Sequence, residues 1–167
     1  VGGRKGDDAR PGDRPAVREG SLAVRARDLL SSVASARAFL RRMDVKPLDR
    51  VALLGDNSAR WVALDLAIMG EGAITVPLYA RQAPRELAKM VADCAPALLL
   101  CDTRERLDAM EPLVKTRACL FGEASVEGKV EEPLPHAPSH PVRIVYTSGT
   151  SGEPKGAVFH LGNVDFM

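Results

Sequence analysis

The feature that most constrains the fold is an alternation of short apolar runs with amphipathic segments. The apolar runs cover residues 51–54, 74–79, 97–101, 118–121 and 142–146. Continuous apolar runs of this length, bounded by turn residues, are typical of strands that are buried on both faces. Because helical segments separate most of them, the pattern predicts an α/β fold, in which a parallel sheet carries helices on its faces.

The helical segments show apolar residues at three- and four-residue steps. They run from residue 28 to about 43, from about 58 to 69, from Pro84 onward, and from a cap at Thr103 to about residue 110. The second helix is apolar almost all round, and Asp65 is the lone charge within it. We interpret Asp65 as a buried carboxylate with polar partners rather than as a catalytic group.

Proline-rich and glycine-rich stretches interrupt this pattern. Residues 1–20 are charged and rich in Gly and Pro, so we expect an irregular N-terminal segment that leads into a short edge strand near residues 12–17. Residues 122–141 are predicted to form a solvated connecting loop. His136 and His140 lie in it, but no helix can hold them on one face among the prolines, so a metal-binding pair is not expected.

Composition excludes several classes of protein. The chain has 167 residues, 46% of them hydrophobic, a formal net charge of +1 and only 4% aromatic residues. These values permit a substantial core and give no indication of a nucleic-acid partner. The odd number and spacing of Cys94, Cys101 and Cys119 indicate small buried hydrophobes. No apolar stretch is long enough to span a bilayer and no signal peptide is present, so we expect a cytoplasmic protein.

The densest cluster of functional residue types follows the apolar run at 142–146. It reads Tyr-Thr-Ser-Gly-Thr-Ser-Gly-Glu-Pro-Lys-Gly over residues 146–156. Glycines allow several backbone N–H groups to point into one concavity, and hydroxyls and an ammonium group add donors for an anion. Because the loop follows a buried strand, it is expected beyond the carboxyl end of that strand, where parallel sheets bind phosphates. The anion we predict is a polyphosphate.

Two other interpretations of this loop compete with a polyphosphate site. The first is a plain surface turn, as most Ser-Gly pairs are. The second is a Walker A loop, in which Gly, four residues and then Gly-Lys-Ser/Thr precede a helix. Counting from Gly149 places Pro154 where the second glycine belongs, and the apolar residues 157–159 predict a strand. The ordinary P-loop NTPase is therefore disfavoured.

With these residues the chain resembles the AMP-forming acyl-CoA synthetases, which are adenylate-forming enzymes. The strong part of the resemblance is residues 146–156, and a softer part covers 55–79, within a similarity from about residue 12 to 163. It looks like the start of the large N-terminal domain of the long-chain type. The resemblance implies that a fatty acid carboxylate attacks ATP, giving acyl-adenylate and pyrophosphate, and that coenzyme A then displaces AMP. Mg²⁺ is implied together with the triphosphate.

Carried over by position, the resemblance assigns the β- and γ-phosphates of ATP to Thr147, Ser148, Gly149, Thr150, Ser151, Gly152 and Lys155. It assigns no catalytic residue and no protein metal ligand within the chain. One departure concerns the family's Thr-His-x-Asn pattern after the loop. Here Leu161 takes the place of the histidine, and His160 lies one position earlier.

We expect residues 21–167 to be a partial AMP-binding domain that continues beyond both ends of the sequence. The family's acyl tunnel, adenine site and C-terminal lysine would come later, so this segment alone is expected to be inactive. A ligase for aryl or amino acids that feeds a carrier protein is an alternative within the superfamily. Alternatives of other classes are a non-catalytic nucleotide- or phosphate-binding module or remnant, and a purely structural α/β domain.

Overall fold

The computed structural model describes residues 10–19, 22–147 and 153–164. Strands and helices alternate along most of this length. The strands are β1 (Pro15–Glu19), β2 (Leu22–Arg25), β3 (Arg50–Leu54), β4 (Ile74–Leu78), β5 (Leu98–Cys101), β6 (Ala118–Leu120), β7 (Pro141–Thr147) and β8 (Lys155–His160). The helices are α1 (Ala26–Arg42), α2 (Ala59–Gly70), α3 (Pro84–Cys94), α4 (Arg104–Met110) and α5 (Leu161–Val164).

Six strands form one sheet in the order β6-β5-β3-β4-β7-β8. The first five pair in parallel, while β8 pairs antiparallel with β7. The predicted mainly parallel α/β sheet is thus confirmed. Pro77 indicated a strand that ends nearby or lies at an edge. The strand does end one residue later, at Leu78, but β4 lies inside the sheet between β3 and β7.

Two apolar layers cover the sheet, and the alternation of side chains along the strands separates them. Leu53 and Leu100 point to the layer that contains α1 and α2, which we call the α1–α2 face. Their neighbours Leu54 and Cys101 point to the α3–α4 face. Right-handed crossovers explain the division, because β3 connects to β4 in one direction across the sheet and β4 connects back to β5 in the other.

The helix starts follow the local sequence. The Ser58 hydroxyl accepts a hydrogen bond from the Trp61 amide at 3.1 Å, and the Thr103 hydroxyl accepts one from the Arg106 amide at 3.3 Å. Pro84 lies in the first turn of α3. The caps of α2 and α4 satisfy amide groups that have no partner within the helix, which is why short polar residues precede these two starts.

The N-terminal strands form a separate antiparallel hairpin. β1 pairs with β2 and packs against α1 and α2. The short strand expected near residues 12–17 is therefore present as β1, two or three residues further along, and it pairs with β2 rather than with the edge of the main sheet. All three cysteines are buried free thiols, as predicted.

The connecting loop predicted for residues 122–141 is fastened to the helices by charged groups. A short 3-10 turn covers Phe121–Ala124, and no helix or strand follows until β7. The Arg37 guanidinium donates to Glu71 at 2.6 Å and to the backbone carbonyl of Glu131 at 2.6 Å. Arg41 donates to the carboxylates of the same two glutamates at 2.8 Å. Few backbone bonds order this loop, so buried and half-exposed ion pairs hold it in place.

The two histidines of this loop lie together, which the sequence did not predict. The rings of His136 and His140 are stacked with centroids 4.2 Å apart and planes 17° apart. His140 Nε2 lies 3.0 Å from the Gly72 carbonyl oxygen. The loop, rather than a helix face, brings them together at the C-terminal end of α2.

No helix in the described part of the chain is both long and apolar enough to cross a membrane.

Candidate functional site

The predicted phosphate loop begins and ends at one edge of the sheet. β7 is parallel to β4, so its carboxyl end lies at the same edge as the carboxyl ends of β3, β4 and β5. Thr147 ends β7, Lys155 begins β8, and the two are register partners across the hairpin. The described stem therefore presents the loop at the edge where parallel sheets bind ligands.

The middle of the loop lies outside the described residues. This applies to Ser148, Gly149, Thr150, Ser151 and Gly152, whose assignment to phosphate stays a prediction. Of the predicted site residues, the structure places Thr147 and Lys155, and both are exposed. An exposed ammonium group beside a glycine-rich loop can approach an anion without first breaking an internal contact.

A cavity of about 770 Å³ opens next to this stem. One wall is the turn after β3, one is the end of β4 with the residues that follow it, and one is the end of β7. A fourth comes from the first turn of α2. These walls are residues 55–57, residues 77–82, residues 145–146 and Trp61, and Met90 of α3 completes the lining. Because β3 connects towards the α1–α2 face and β4 towards the α3–α4 face, a crevice forms between their carboxyl ends.

The turn after β3 is held rigid by a polar cluster. The Asp102 carboxylate accepts a hydrogen bond from the Asp56 amide at 2.9 Å, and the Arg106 guanidinium contacts both aspartates, with 3.0 Å to Asp56. The hydrogen bond to Asp102 raises the pKa of Arg106 above its ordinary value. A Cβ at Gly55 would lie 2.8 Å from Asp102 Cβ and 2.9 Å from Phe121, so only glycine fits there.

β7 is anchored from both faces of the sheet. On the α1–α2 face the Arg143 guanidinium donates to the carboxylate of Asp65, which is only 7% exposed. The prediction that Asp65 is a buried, partnered carboxylate is thus confirmed. On the α3–α4 face the Tyr146 hydroxyl donates to the Asp93 carboxylate of α3. Burial raises the pKa of Tyr146, and Asp93 raises it further. The tyrosine therefore stays protonated as a donor.

His160 lies far from the loop. It pairs with Pro141 at the opposite end of the β7–β8 hairpin, and its amide donates to Asn163 Oδ1 at 3.0 Å. His160 lies five residues further along the extended strand than Lys155, a distance of about 17 Å. Within the chain as described, His160 is an exposed residue at a strand end, and nothing brings it to the phosphate loop.

Local patterns did not assign the other walls of the cavity to a site. They place Trp61 in a helix and Tyr79 at the end of a strand, and both fall in the softer part of the resemblance, while residues 80–82 carry no assignment. The order of apolar runs could have indicated these residues. In a parallel sheet the residues directly after β3 and β4 lie at the same edge as Thr147.

A dedicated metal centre is not visible. The described residues contain no group of three or more His, Cys, Asp or Glu side chains that could hold a metal ion.

Comparison with known proteins agrees with this geometry. The family model described as AMP-binding enzyme matches residues 5–166, nearly the whole chain. The chain therefore belongs to the AMP-binding enzyme family, which confirms the resemblance at the level of the adenylate-forming superfamily.

Curated relatives and solved structures support the same family and fold. The chain is 33% identical over 151 residues to a feruloyl-CoA synthase from Amycolatopsis sp, covering 89% of the chain and 30% of that protein. It is 35% identical over 127 residues to an indoleacetate–CoA ligase from Aromatoleum aromaticum, covering 67% of the chain and 25% of that protein. The chain thus spans about a third or less of the length of these relatives.

Among solved structures, an o-succinylbenzoate CoA synthetase from Bacillus subtilis superposes with a TM-score of 0.81 at 24% identity, covering 92% of this chain and 32% of that one. MatB from Rhodopseudomonas palustris superposes with a TM-score of 0.80 at 19% identity, covering 96% of this chain and 34% of that one. At these identities the structural likeness shows the fold alone.

Proposed function

We propose that this chain is the phosphate-binding part of an ATP-dependent, AMP-forming ligase. In this proposal the ligase activates a carboxylic acid as an acyl-adenylate and transfers the acyl group to coenzyme A. The observation that supports it most is the β7–β8 stem. It presents a loop rich in hydroxyls, glycines and one lysine at the carboxyl edge of the sheet, beside a cavity of about 770 Å³. Membership of the AMP-binding enzyme family supports the same conclusion.

The proposed chemistry gives the loop a definite task. A carboxylate oxygen bonds to the α-phosphorus of ATP while the bond from that phosphorus to the bridging oxygen breaks, and pyrophosphate leaves. The negative charge on pyrophosphate grows as the bond breaks. In this proposal Thr147, Lys155 and the residues between them supply hydrogen-bond donors for that charge, and donors that are in place before the reaction lower the barrier. The coenzyme A thiolate then attacks the acyl carbonyl carbon, and AMP leaves.

We propose that Mg²⁺ enters this site with the triphosphate. The described residues offer no cluster of metal ligands, and Mg²⁺ commonly binds through substrate phosphates with few protein ligands. The donor set of the loop, with hydroxyls and one ammonium group, fits the phosphate oxygens rather than the metal itself.

Two classes of acid are proposed as the substrate. The resemblance of residues 55–79 and 146–156 to the long-chain synthetases supports a long-chain fatty acid. An acid that carries an aromatic ring is supported by the names of the feruloyl-CoA synthase and the indoleacetate–CoA ligase, at 33% and 35% identity. Both classes use the same adenylation step, so they differ only in the pocket for the acyl group.

ATP–pyrophosphate exchange tests the reaction and the acid together. The assay uses the whole native protein with ATP, Mg²⁺ and, in separate reactions, a long-chain fatty acid, an aryl acid or an amino acid. We expect exchange that depends on the acid, followed by thioester formation when coenzyme A is added. Binding of ATP without acid-dependent exchange would contradict the ligase and favour the non-catalytic phosphate-binding module.

A further inference from the structure

Tyr146 occupies a critical place in the proposed site. It is the residue before Thr147, so it lies directly at the base of the phosphate loop, and its register partner on β8 is Gly156, the residue after Lys155. Its hydroxyl leaves the sheet on the α3–α4 face and donates to the carboxylate of Asp93. One side chain thus links β7 to α3 a single residue away from both ends of the loop.

Asp93 lies at a helix position where a negative charge is unfavourable. It lies in the last turn of α3, which ends at Cys94, and a carboxylate there opposes the helix dipole. Among the described residues, no lysine or arginine forms an ion pair with it. Asp93 is exposed, and its side-chain partner among the described residues is the Tyr146 hydroxyl on β7.

The other side of the hairpin packs closely on the same ring. A Cβ at Gly156 would lie 3.3 Å from Tyr146 Cζ and 2.7 Å from Ile144 Cγ2. The backbone of β8 therefore lies close to both side chains, and the contact with Ile144 is the one that excludes a larger residue. The Tyr146 ring lies beside this backbone, and its hydroxyl contacts Asp93.

The surroundings of the Tyr146–Asp93 contact favour a neutral phenol, so the contact remains a hydrogen bond from Tyr146 to the carboxylate. The pKa of Tyr146 is raised by burial and by Asp93, so the hydroxyl keeps its proton. Burial also raises the pKa of the adjacent Cys94 thiol to about 11, so that group adds no charge at neutral pH.

We propose that Asp93 is a positioning residue for the phosphate loop. By accepting the hydrogen bond of Tyr146, it fixes the orientation of the β7–β8 stem from which Thr147 and Lys155 extend. This proposal rests on the proposed function for the identity of the ligand, ATP, but the positioning itself can be measured without any ligand.

The test uses three single variants, one double variant and one control in the whole native protein. Asp93→Leu and Tyr146→Phe each remove one partner of the hydrogen bond, and Asp93→Asn keeps an acceptor oxygen of the same reach. Glu86→Gln is the matched control, since it removes a negative charge from an exposed position of the same helix. Each protein is examined by hydrogen–deuterium exchange over residues 142–160 and by the KM for ATP in pyrophosphate exchange.

We expect faster amide exchange at both ends of the loop in Asp93→Leu and in Tyr146→Phe. The KM for ATP should rise about 3- to 10-fold, the effect of one lost hydrogen bond, while the KM for the acid stays unchanged. Asp93→Asn should restore both values, Glu86→Gln should change neither, and the Asp93→Leu/Tyr146→Phe double variant should be no worse than either single variant.

Different results would contradict the positioning role of Asp93 and the proposed function. Unchanged amide exchange in β7 and β8 of Asp93→Leu would overturn the positioning role, whatever the kinetics show. A rise in the KM for ATP and in the KM for the acid by the same factor would also overturn it, because it indicates general loss of structure. A wild-type protein without pyrophosphate exchange would instead contradict the proposed function, while the amide exchange would still decide the role of Asp93.

Discussion

The interior of the sheet and the β7–β8 hairpin are built from similar strands but are stabilised differently. In β3, Val51, Ala52 and Leu53 are 0% exposed, because helices cover both faces. In β8 every residue from Lys155 to His160 is exposed. Apolar burial therefore fixes the interior, whereas β8 depends on its pairing with β7. In β7 the buried Val142 and the partly buried Ile144 combine with polar anchors.

This difference has a functional consequence. Apolar packing is spread over many atoms and tolerates small changes, but a polar anchor is a single directional contact. The proposed phosphate loop extends from the hairpin, so the contacts of Arg143 and Tyr146 bear on the geometry of the site as well as on stability. Changes in the interior should thus mainly affect folding, and changes in the hairpin should cost less stability and also affect the site.

The largest expected effect is a loss of stability in the interior. Leu53→Ala should reduce the free energy of unfolding by about 2–5 kcal/mol, because it leaves a cavity between α1, α2 and the sheet. Val158→Ala on β8 removes an apolar group that is 51% exposed and should cost less than about 0.5 kcal/mol. Urea denaturation of both variants measures the contrast. Equal losses would show that the hairpin is packed as tightly as the interior.

The next effect concerns the anchor on the α1–α2 face. Asp65→Ala should cost about 2–3 kcal/mol, since it leaves the Arg143 guanidinium without its partner in a half-buried place. Asp108→Ala is the matched control, because the Asp108–Arg104 pair is exposed and such pairs contribute little. Thermal or urea unfolding provides the comparison. A control that loses as much as Asp65→Ala would contradict the anchoring role.

A smaller effect is expected at the close approach of β8 to β7. Gly156→Ala should cost about 1–2 kcal/mol, because its Cβ would lie 2.7 Å from Ile144 Cγ2, a branched side chain that can yield little. At Gly122 the nearest atom to an added Cβ is the end of the Arg60 side chain, at 3.5 Å, so Gly122→Ala should be nearly neutral. If both alanine variants unfold at the same urea concentration, the close packing of the hairpin is refuted.

The smallest effect is a pH dependence from the connecting loop. Burial, and then the neighbouring His140, lower the pKa of His136 below its ordinary value of 6.5. The folded protein therefore releases a proton that the unfolded chain still binds, and stability should fall as the pH drops below about 6.5. His136→Gln should reduce this loss between about pH 7.5 and pH 5.5, and the exposed His160→Gln should not. The urea concentration at the midpoint of unfolding, measured for each variant at both pH values, tests this expectation.

Local sequence patterns were sufficient to predict most of the fold. The apolar runs became β3 to β7, and Ser58, Pro84 and Thr103 marked helix starts, because strand burial and helix capping are determined by neighbouring residues. The order of the strands was not predictable in this way. Pro77 indicated an edge as one possibility, yet β4 lies inside the sheet, because pairing between β4 and β7 depends on residues far apart in the sequence.

The candidate site was predicted only in part for the same reason. The loop at 146–156 was evident from its glycines, hydroxyls and lysine. The contacts that hold its stem, from Asp65 and Asp93, join residues 78 and 53 positions apart, and no local pattern links them. Likewise, the stacking of His136 on His140 follows from the path of a proline-rich loop and has no helical periodicity to predict it.

The most direct test of the central proposal is acid-dependent ATP–pyrophosphate exchange by Lys155→Ala in the whole native protein. Lys115→Ala removes an equally exposed lysine away from the loop and serves as the control. If Lys155 holds the leaving phosphates, its loss should slow exchange about 10- to 100-fold, the effect of one charge-assisted contact, while the control keeps the wild-type rate. An unchanged rate in Lys155→Ala would contradict the assignment of the β7–β8 loop to phosphate binding.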